Sequence, residues 1–252
     1  MKPACSFALL LLTWFSSSSA TAQDLTLIAP GGMRCPVDRL VPSFEQKTGL
    51  KVKATIGAGG ATHQQVVKGE VFDVPIVQPP YTDVLQSGHV AKETETPLAS
   101  VAIVVAVRKG DPRPDISTAD AVRRMLLAAK AISYPDGAGG RGGAAGVSFD
   151  ATQVKLGIYE QMKPKVKRVQ GVSLIQLLAR GDIDVAITFA SEITDPNVEV
   201  VGPLPRAIST PTELVGFVSA HTKSPEQARG LLRFLSSADA AAAYKVCAML
   251  PH

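Results

Sequence analysis

An α/β fold of two lobes is what the 252-residue sequence predicts, and three observations predict it. Short apolar runs alternate with amphipathic stretches, the pattern of strands feeding helices. The order strand, glycine-rich turn, helix comes in two successive sets, with no low-complexity linker between them. Hydrophobic side chains make up 46% and charged ones 19%, enough to bury a core and incompatible with a disordered, collagen-like or coiled-coil chain.

Ahead of the fold, Lys2 supplies a positive start, Phe7 to Phe15 is nearly all apolar, and Ala20-Thr21-Ala22 has the small-x-small pattern of a signal-peptidase site. These residues predict a secretory signal over 1–22, cleaved near Ala22, and hence a periplasmic protein. The apolar run is far shorter than the roughly 20 residues a spanning helix needs. No later segment is long and apolar enough to span, and Cys5 precedes the run, against lipid attachment at that cysteine.

Leu25 to Ala29 predicts the first strand, ending at Pro30-Gly31-Gly32. Val37, Leu40, Val41 and Phe44 recur at helical spacing up to a stop at Gly49, with Pro42 expected to delay or bend that helix. Val52 to Ile56 is a second strand closed by Gly57-Ala58-Gly59-Gly60, and Ala61 to Lys68 a short helix closed by Gly69. Val71 to Val77, interrupted by Pro75, gives a third strand, and Tyr81 to Gln86 another short helix. Val101 to Val107 is apolar and β-branched, as expected of a strand buried on both faces. After a break at Gly110 to Pro114, Ser117 is expected to cap a helix reaching about Lys130.

The second set follows with a strand Ala131 to Tyr134, a glycine turn, a helix around Asp150 to Gln161 and a strand near Lys167 to Val169. A helix Leu174 to Arg180 and a strand Asp184 to Phe189 complete it. A loop-rich stretch from Pro203 to Pro211 leads to a strand Glu213 to Ser219 and two helices, Pro225 to Ser236 and Asp239 to Met249. That tail is too apolar to stand alone and is expected to dock on the first lobe.

The chemistry is expected at three junctions, Pro30-Gly31-Gly32, Gly57 to Gly60, and Gly137 to Gly143. N–H groups at a helix start carry partial positive charge, and glycine lets a ligand approach the backbone, so such corners can cradle an anion. One exposed helix end contributes only about 0.3–1 kcal/mol. Useful affinity therefore needs several converging on one desolvated site. Gly31, Gly32, Gly59 and Gly60 are the candidate ligand contacts, with Arg141 as a guanidinium able to pair with an oxyanion.

Other chemistry is poorly represented. Gly137-x-Gly139-x-x-Gly142 matches the dinucleotide fingerprint only formally, because Pro135 and Asp136 interrupt the strand-to-turn geometry. There is no G-x-S-x-G, H-E-x-x-H or P-loop motif, and Asp182 and Asp184 suit a turn and a strand edge. No enzyme and no cofactor are expected. Cys35 and Cys247 lie beyond the signal, where export permits a bridge, but their spacing leaves a disulfide and two core thiols equally open. His63, His89 and His221 are scattered and are expected on the surface, with no metal site. The net charge of +4 forms no basic run, against nucleic acid as a partner.

A family resemblance rests on Phe44-Glu45-x-x-Thr48-Gly49, the Gly57 to Gly60 turn, Gly69-Glu70-x-Phe72-Asp73-Val74, Leu85-x-Ser87-Gly88-His89-Val90 and Gly181-Asp182-Ile183-Asp184-Val185-Ala186. In order and spacing these resemble the periplasmic solute-binding proteins of ABC importers, in particular the molybdate-binding branch, over nearly all of the chain beyond the signal. The resemblance implies the type II periplasmic binding architecture: lobe I over 23–104 and 208–252, lobe II over 105–207, and a ligand cleft that closes by a hinge. The two crossover strands would be Val101 to Val107 and one within Pro205 to Ser219. As partners it implies a small anion and a membrane permease, with the protein a monomer.

Molybdate binders of this kind hold the oxyanion by backbone N–H groups and by hydroxyls, and the matching positions here are Gly32, Gly59 and Phe189. All three hydroxyls are missing from this sequence. With Val172, these positions complete the candidate set. An unmet buried charge costs about 1–3 kcal/mol or more, so a different small anion, such as an organic acid, is at least as well supported as molybdate. Thr62, Ser173 or Arg141 could compensate. The alternatives are an exported enzyme on the same scaffold, using Asp73, Asp136 or His63, and a binding module that signals to a membrane sensor.

Overall fold

The alternating apolar runs form two separate sheets in the computed structural model, which describes residues 24–252 apart from 138–142, 169–171 and 194. The segment over 1–22 expected to be a signal with cleavage near Ala22, Arg141, and the middle of the third glycine junction lie outside the described residues. The strands in chain order are β1 (Leu25–Pro30), β2 (Val52–Gly57), β3 (Val74–Val77), β4 (Val90–Val101), β5 (Ile103–Arg108), β6 (Ile132–Ser133), β7 (Val185–Phe189), β8 (Val198–Pro203), β9 (Thr212–Ser219) and β10 (Met249–Pro251). One sheet has the order β10-β4-β9-β3-β1-β2 and the other β6-β7-β5-β8.

β1 lies between β2 and β3 and is parallel to both. Parallel neighbours require crossovers, and α1 (Arg34–Thr48) and α2 (Gly59–Val67) supply them. α1 begins ahead of Pro42 and runs on past it to Gly49, whose φ of 74° closes the helix. The remaining helices are α3 (Thr82–Ser87), α4 (Ala119–Ala128), α5 (Ala144–Lys155), α6 (Tyr159–Met162), α7 (Leu174–Arg180), α8 (Pro225–Leu235) and α9 (Ala238–Val246).

Several sequence expectations are corrected. The apolar run from Val101 to Val107 is not one strand: Val101 pairs with Thr212 and Met249 in the first sheet, whereas Ile103 pairs with Phe189 in the second. A continuous apolar run carries no periodicity that would reveal a change of sheet at Ala102. The chain returns to the first sheet over 204–211. Thr118, not Ser117, caps α4 by accepting from the Ala121 N–H, while the Ser117 hydroxyl donates to Asp115. The helix expected over Asp150 to Gln161 is two helices broken at Gly157, with φ of 67°. The last helix stops at Val246, and Met249 opens β10 beside β4. Most of β4 carries no strand signature in the sequence, because Lys92, Glu93 and Glu95 give it a polar, solvent-facing half.

The tail docks on the first sheet's layer. β10 extends that sheet, Phe44 of α1 meets Phe234 of α8 with ring centroids 5.5 Å apart, and Cys35 and Cys247 are joined by a disulfide across 212 residues. The bridge resolves the choice that spacing left open. One apolar cluster runs through both sheets, from Leu27 and Val101 to Ile103 and Ile187. Among the described residues no helix is long and apolar enough to cross a membrane.

Candidate functional site

Because β1, β2 and β3 are parallel, their carboxyl ends share one edge of the sheet, and ligands in open α/β sheets sit beyond that edge. β1 delivers Gly31 and Gly32, β2 delivers Ala58 and Gly59, and β3 delivers Gln78 to a cavity of about 520 Å³. The second sheet contributes Phe189, Ser191 and Glu192 from the end of β7, with Gly143 and Ala144 from the start of α5. The cavity thus lies between the two lobes.

Two helix starts from opposite lobes face it. Bonding in α2 begins with Ala61 and Thr62 donating to Ala58, and in α5 with Gly146 and Val147 donating to Gly143. The N–H groups of Gly59, Gly60, Ala144 and Ala145 are therefore ones the helical ladders do not use. Aligned peptide dipoles add partial positive charge at both starts.

Gly59 makes room for a particular neighbour, and Gly31 and Gly32 border others at ordinary contact distance. A methyl group on Gly59 would lie 2.4 Å from Gln78 Nε2, so only glycine lets that amide rest over the start of α2. On Gly32 a methyl would come within 3.4 Å of the Phe189 ring, and on Gly31 within 3.4 Å of Glu192 Oε1. Ser191 ties the lobes by donating its hydroxyl to the Gly32 carbonyl at 3.2 Å. Glu192 Oε2 accepts from the buried Thr188 hydroxyl. Burial pushes the Glu192 carboxyl above its ordinary value, opposed by the Thr188 hydrogen bond and the positive charge of Arg34.

A second chamber of about 900 Å³ adjoins the first and shares Gly59, Gln78 and Ala144 with it. It contains Gly60, His63 and Asp83. His63 is not a surface residue: its side chain is 13% exposed, with Nε2 2.8 Å from the Asp83 carboxylate. Burial pushes Asp83 up, but the hydrogen bond and charge of His63 outweigh it and hold that carboxyl below its usual range.

Of the candidates read from sequence, Gly31, Gly32, Gly59 and Phe189 meet in one cavity and Gly60 lines the chamber next to it. Val172 lines neither and packs against the cluster of Ala106, Leu177 and Ile183. The suggested compensating donors are engaged elsewhere. Thr62 donates to the Gly59 carbonyl inside α2, and Ser173 caps α7. Asp73 accepts from the Thr26 N–H and hydroxyl at 2.8 Å each, holding the start of β1. His89 and His221 pair with each other at 2.8 Å, and among the described residues no group of His, Cys, Asp or Glu is placed to hold a metal. Gln78, Glu192 and Arg34 also line the cavity, and no motif in the sequence marks them. Gln78 directly follows the end of β3, whereas Arg34 and Glu192 stand two and three residues beyond the Gly31-Gly32 turn and the end of β7.

Comparison with known proteins agrees with this geometry. The aconitate isomerase of a Pseudomonas species is 29% identical, over 97% of this chain and 94% of its own length. The periplasmic molybdate-binding protein of Azotobacter vinelandii superposes with a TM-score of 0.71 at 14% identity, covering 90% of this chain and 99% of that one. The sulfate-binding protein of Mycobacterium tuberculosis gives a TM-score of 0.69 at 19% identity, covering 90% and 86%. These superpositions share the two-lobed type II periplasmic binding fold. Residues 25–245 match the model of the bacterial extracellular solute-binding proteins, and the chain belongs to that family.

Proposed function

We propose that this protein is an exported receptor that captures a small anionic solute between its lobes and delivers it to the permease of an ABC importer. The observation that carries this is the convergence of helix starts from both lobes, with the Gly31-Gly32 turn, on one cavity. Gly31, Gly32, Gly59 and Gly60 supply backbone N–H groups, Arg141 a guanidinium, and Phe189 an apolar wall. The lobes, 23–104 with 208–252 and 105–207, close about the two crossings, and the protein acts as a monomer after loss of residues 1–22. The fold's neighbours include proteins named for molybdate and sulfate binding, in line with an anion.

An organic acid suits the cleft better than a bare oxyanion. Gly32, Gly59 and Phe189 offer no hydroxyl, and a ring, an amide and a carboxyl occupy the space instead. The first cavity of about 520 Å³ falls within the several-hundred Å³ range of organic ligand sites and continues into the second chamber. Thermal melts against molybdate, tungstate, sulfate, phosphate, citrate and the aconitate isomers test this. A ligand at 100 times its dissociation constant adds about 2.7 kcal/mol, and a carboxylate is expected to give the largest rise. No shift with any anion would contradict the receptor assignment.

A second activity is favoured by Glu192 together with the isomerase relative. Moving a double bond within an unsaturated acid requires removing a proton from one carbon and returning one to another, with no net oxidation and no co-reactant. Glu192 is the cleft carboxyl able to exchange that proton. Incubation with cis-aconitate and chromatography for the trans isomer tests it: turnover lost in Glu192→Gln supports an enzyme, and no conversion by the unaltered protein refutes it.

A further inference from the structure

We propose that Glu192 enters the complex protonated and donates a hydrogen bond from Oε1 to the bound anion, so that each anion is captured together with one proton. The inference rests on the anion-binding cleft proposed above and names the group that couples it to pH. Glu192 closes the turn after β7 and faces the glycine turn after β1, where a methyl on Gly31 would meet its Oε1 at 3.4 Å. Its other oxygen, Oε2, accepts from the Thr188 hydroxyl. Oε1 is thus the oxygen that borders the cavity shared with the starts of α2 and α5.

An ionised carboxylate at that place would set a second negative charge against the ligand and offer only acceptor lone pairs. Protonation removes the repulsion and turns the same oxygen into a donor. The fold already leans that way, because burial raises this carboxyl. The charged groups around it are Arg34 from α1, which draws it towards the ionised form, and Asp195, which lines a separate cavity with it on its far side. Gln78 supplies the neighbouring side-chain donor, since its amide overlies Gly59 in the same cavity. A bound oxyanion adds negative charge close to Oε1 and holds the proton more tightly, so binding and proton uptake reinforce each other.

The experiment is calorimetric titration of the full mature protein with sulfate and with trans-aconitate at pH 7.5, in two buffers of different ionisation enthalpy. Uptake close to one proton per anion is expected for the unaltered protein and close to none for Glu192→Gln, whose amide keeps a donor in place without needing a proton. Sulfate remains a dianion across this range. Its dissociation constant is expected to rise by up to about tenfold per pH unit from pH 6 to 8 for the unaltered protein, the limit for one linked proton, and to stay flat for the variant. Gln78→Ala is expected to weaken binding at every pH without changing the slope. Zero proton uptake by the unaltered protein, a reading independent of the variant's folding, overturns the inference, as does uptake that persists in Glu192→Gln. Failure of both anions to bind the unaltered protein overturns the cleft assignment itself, and the inference with it, and is thereby told apart from binding without protons.

Discussion

Glu192 joins stability to binding through a single carboxyl. Its folded value lies above the ordinary one, so its stabilising contribution is complete below the ordinary carboxyl range and is lost as pH rises through the raised value. Glu192→Gln is therefore expected to melt higher than the unaltered protein at pH 8 and to lose that advantage near pH 4, as thermal scans at the two pH values would show. Gly59 makes a complementary case. Gly59→Ala puts a methyl where the Gln78 amide rests, which should weaken anion binding about tenfold or more for a lost charge-assisted hydrogen bond, with α2 itself little affected. Unchanged affinity would show that Gln78 does not contact the ligand. Such pairings explain what could be read in advance. A glycine at a strand end is visible in sequence as a turn, but the side chain that occupies the space Gly59 leaves comes from 19 positions along the chain, and the Phe189 and Glu192 side chains that border Gly32 and Gly31 come from the other lobe.

Helices and strands were legible wherever their pattern was local. α7 between Ser173 and Gly181 carries its own capping box and left-handed stop, and its observed bounds are those the sequence predicts. β4 and β8 were not, because half-exposed strands with charged faces resemble loops until their partners are known. The start of α5 offers a test that separates folding from binding at this scale. Ala144→Asp places a carboxylate in the first turn, which favours the helix by about 0.3–1 kcal/mol, yet sets a negative charge in the proposed anion cradle. The melting temperature of the free variant should hold or rise while anion binding disappears. A variant that binds as before would remove α5 from the site.

For the molecule as a whole, two features act at long range. The Cys35–Cys247 disulfide pins the end of the chain to α1 across 212 residues. Its loss in a Cys35→Ser, Cys247→Ser variant is expected to cost about 2–5 kcal/mol, read as a lower denaturation midpoint, while affinity is kept because the bridge lies outside the residues lining the cleft. The second feature is the passage of the chain between sheets at Ala102 and over 204–211, which lets two lobes share a continuous apolar cluster and still face each other across a cavity. The decisive measurement is amide NMR of the ¹⁵N-labelled mature protein during titration with trans-aconitate and with sulfate. N–H signals of Gly31, Gly32, Gly59, Gly60, Ala144 and Ala145 should move together along one binding curve for at least one of the two. Movement confined to a single lobe, or centred on residues away from these corners, would contradict a shared anion held between the halves.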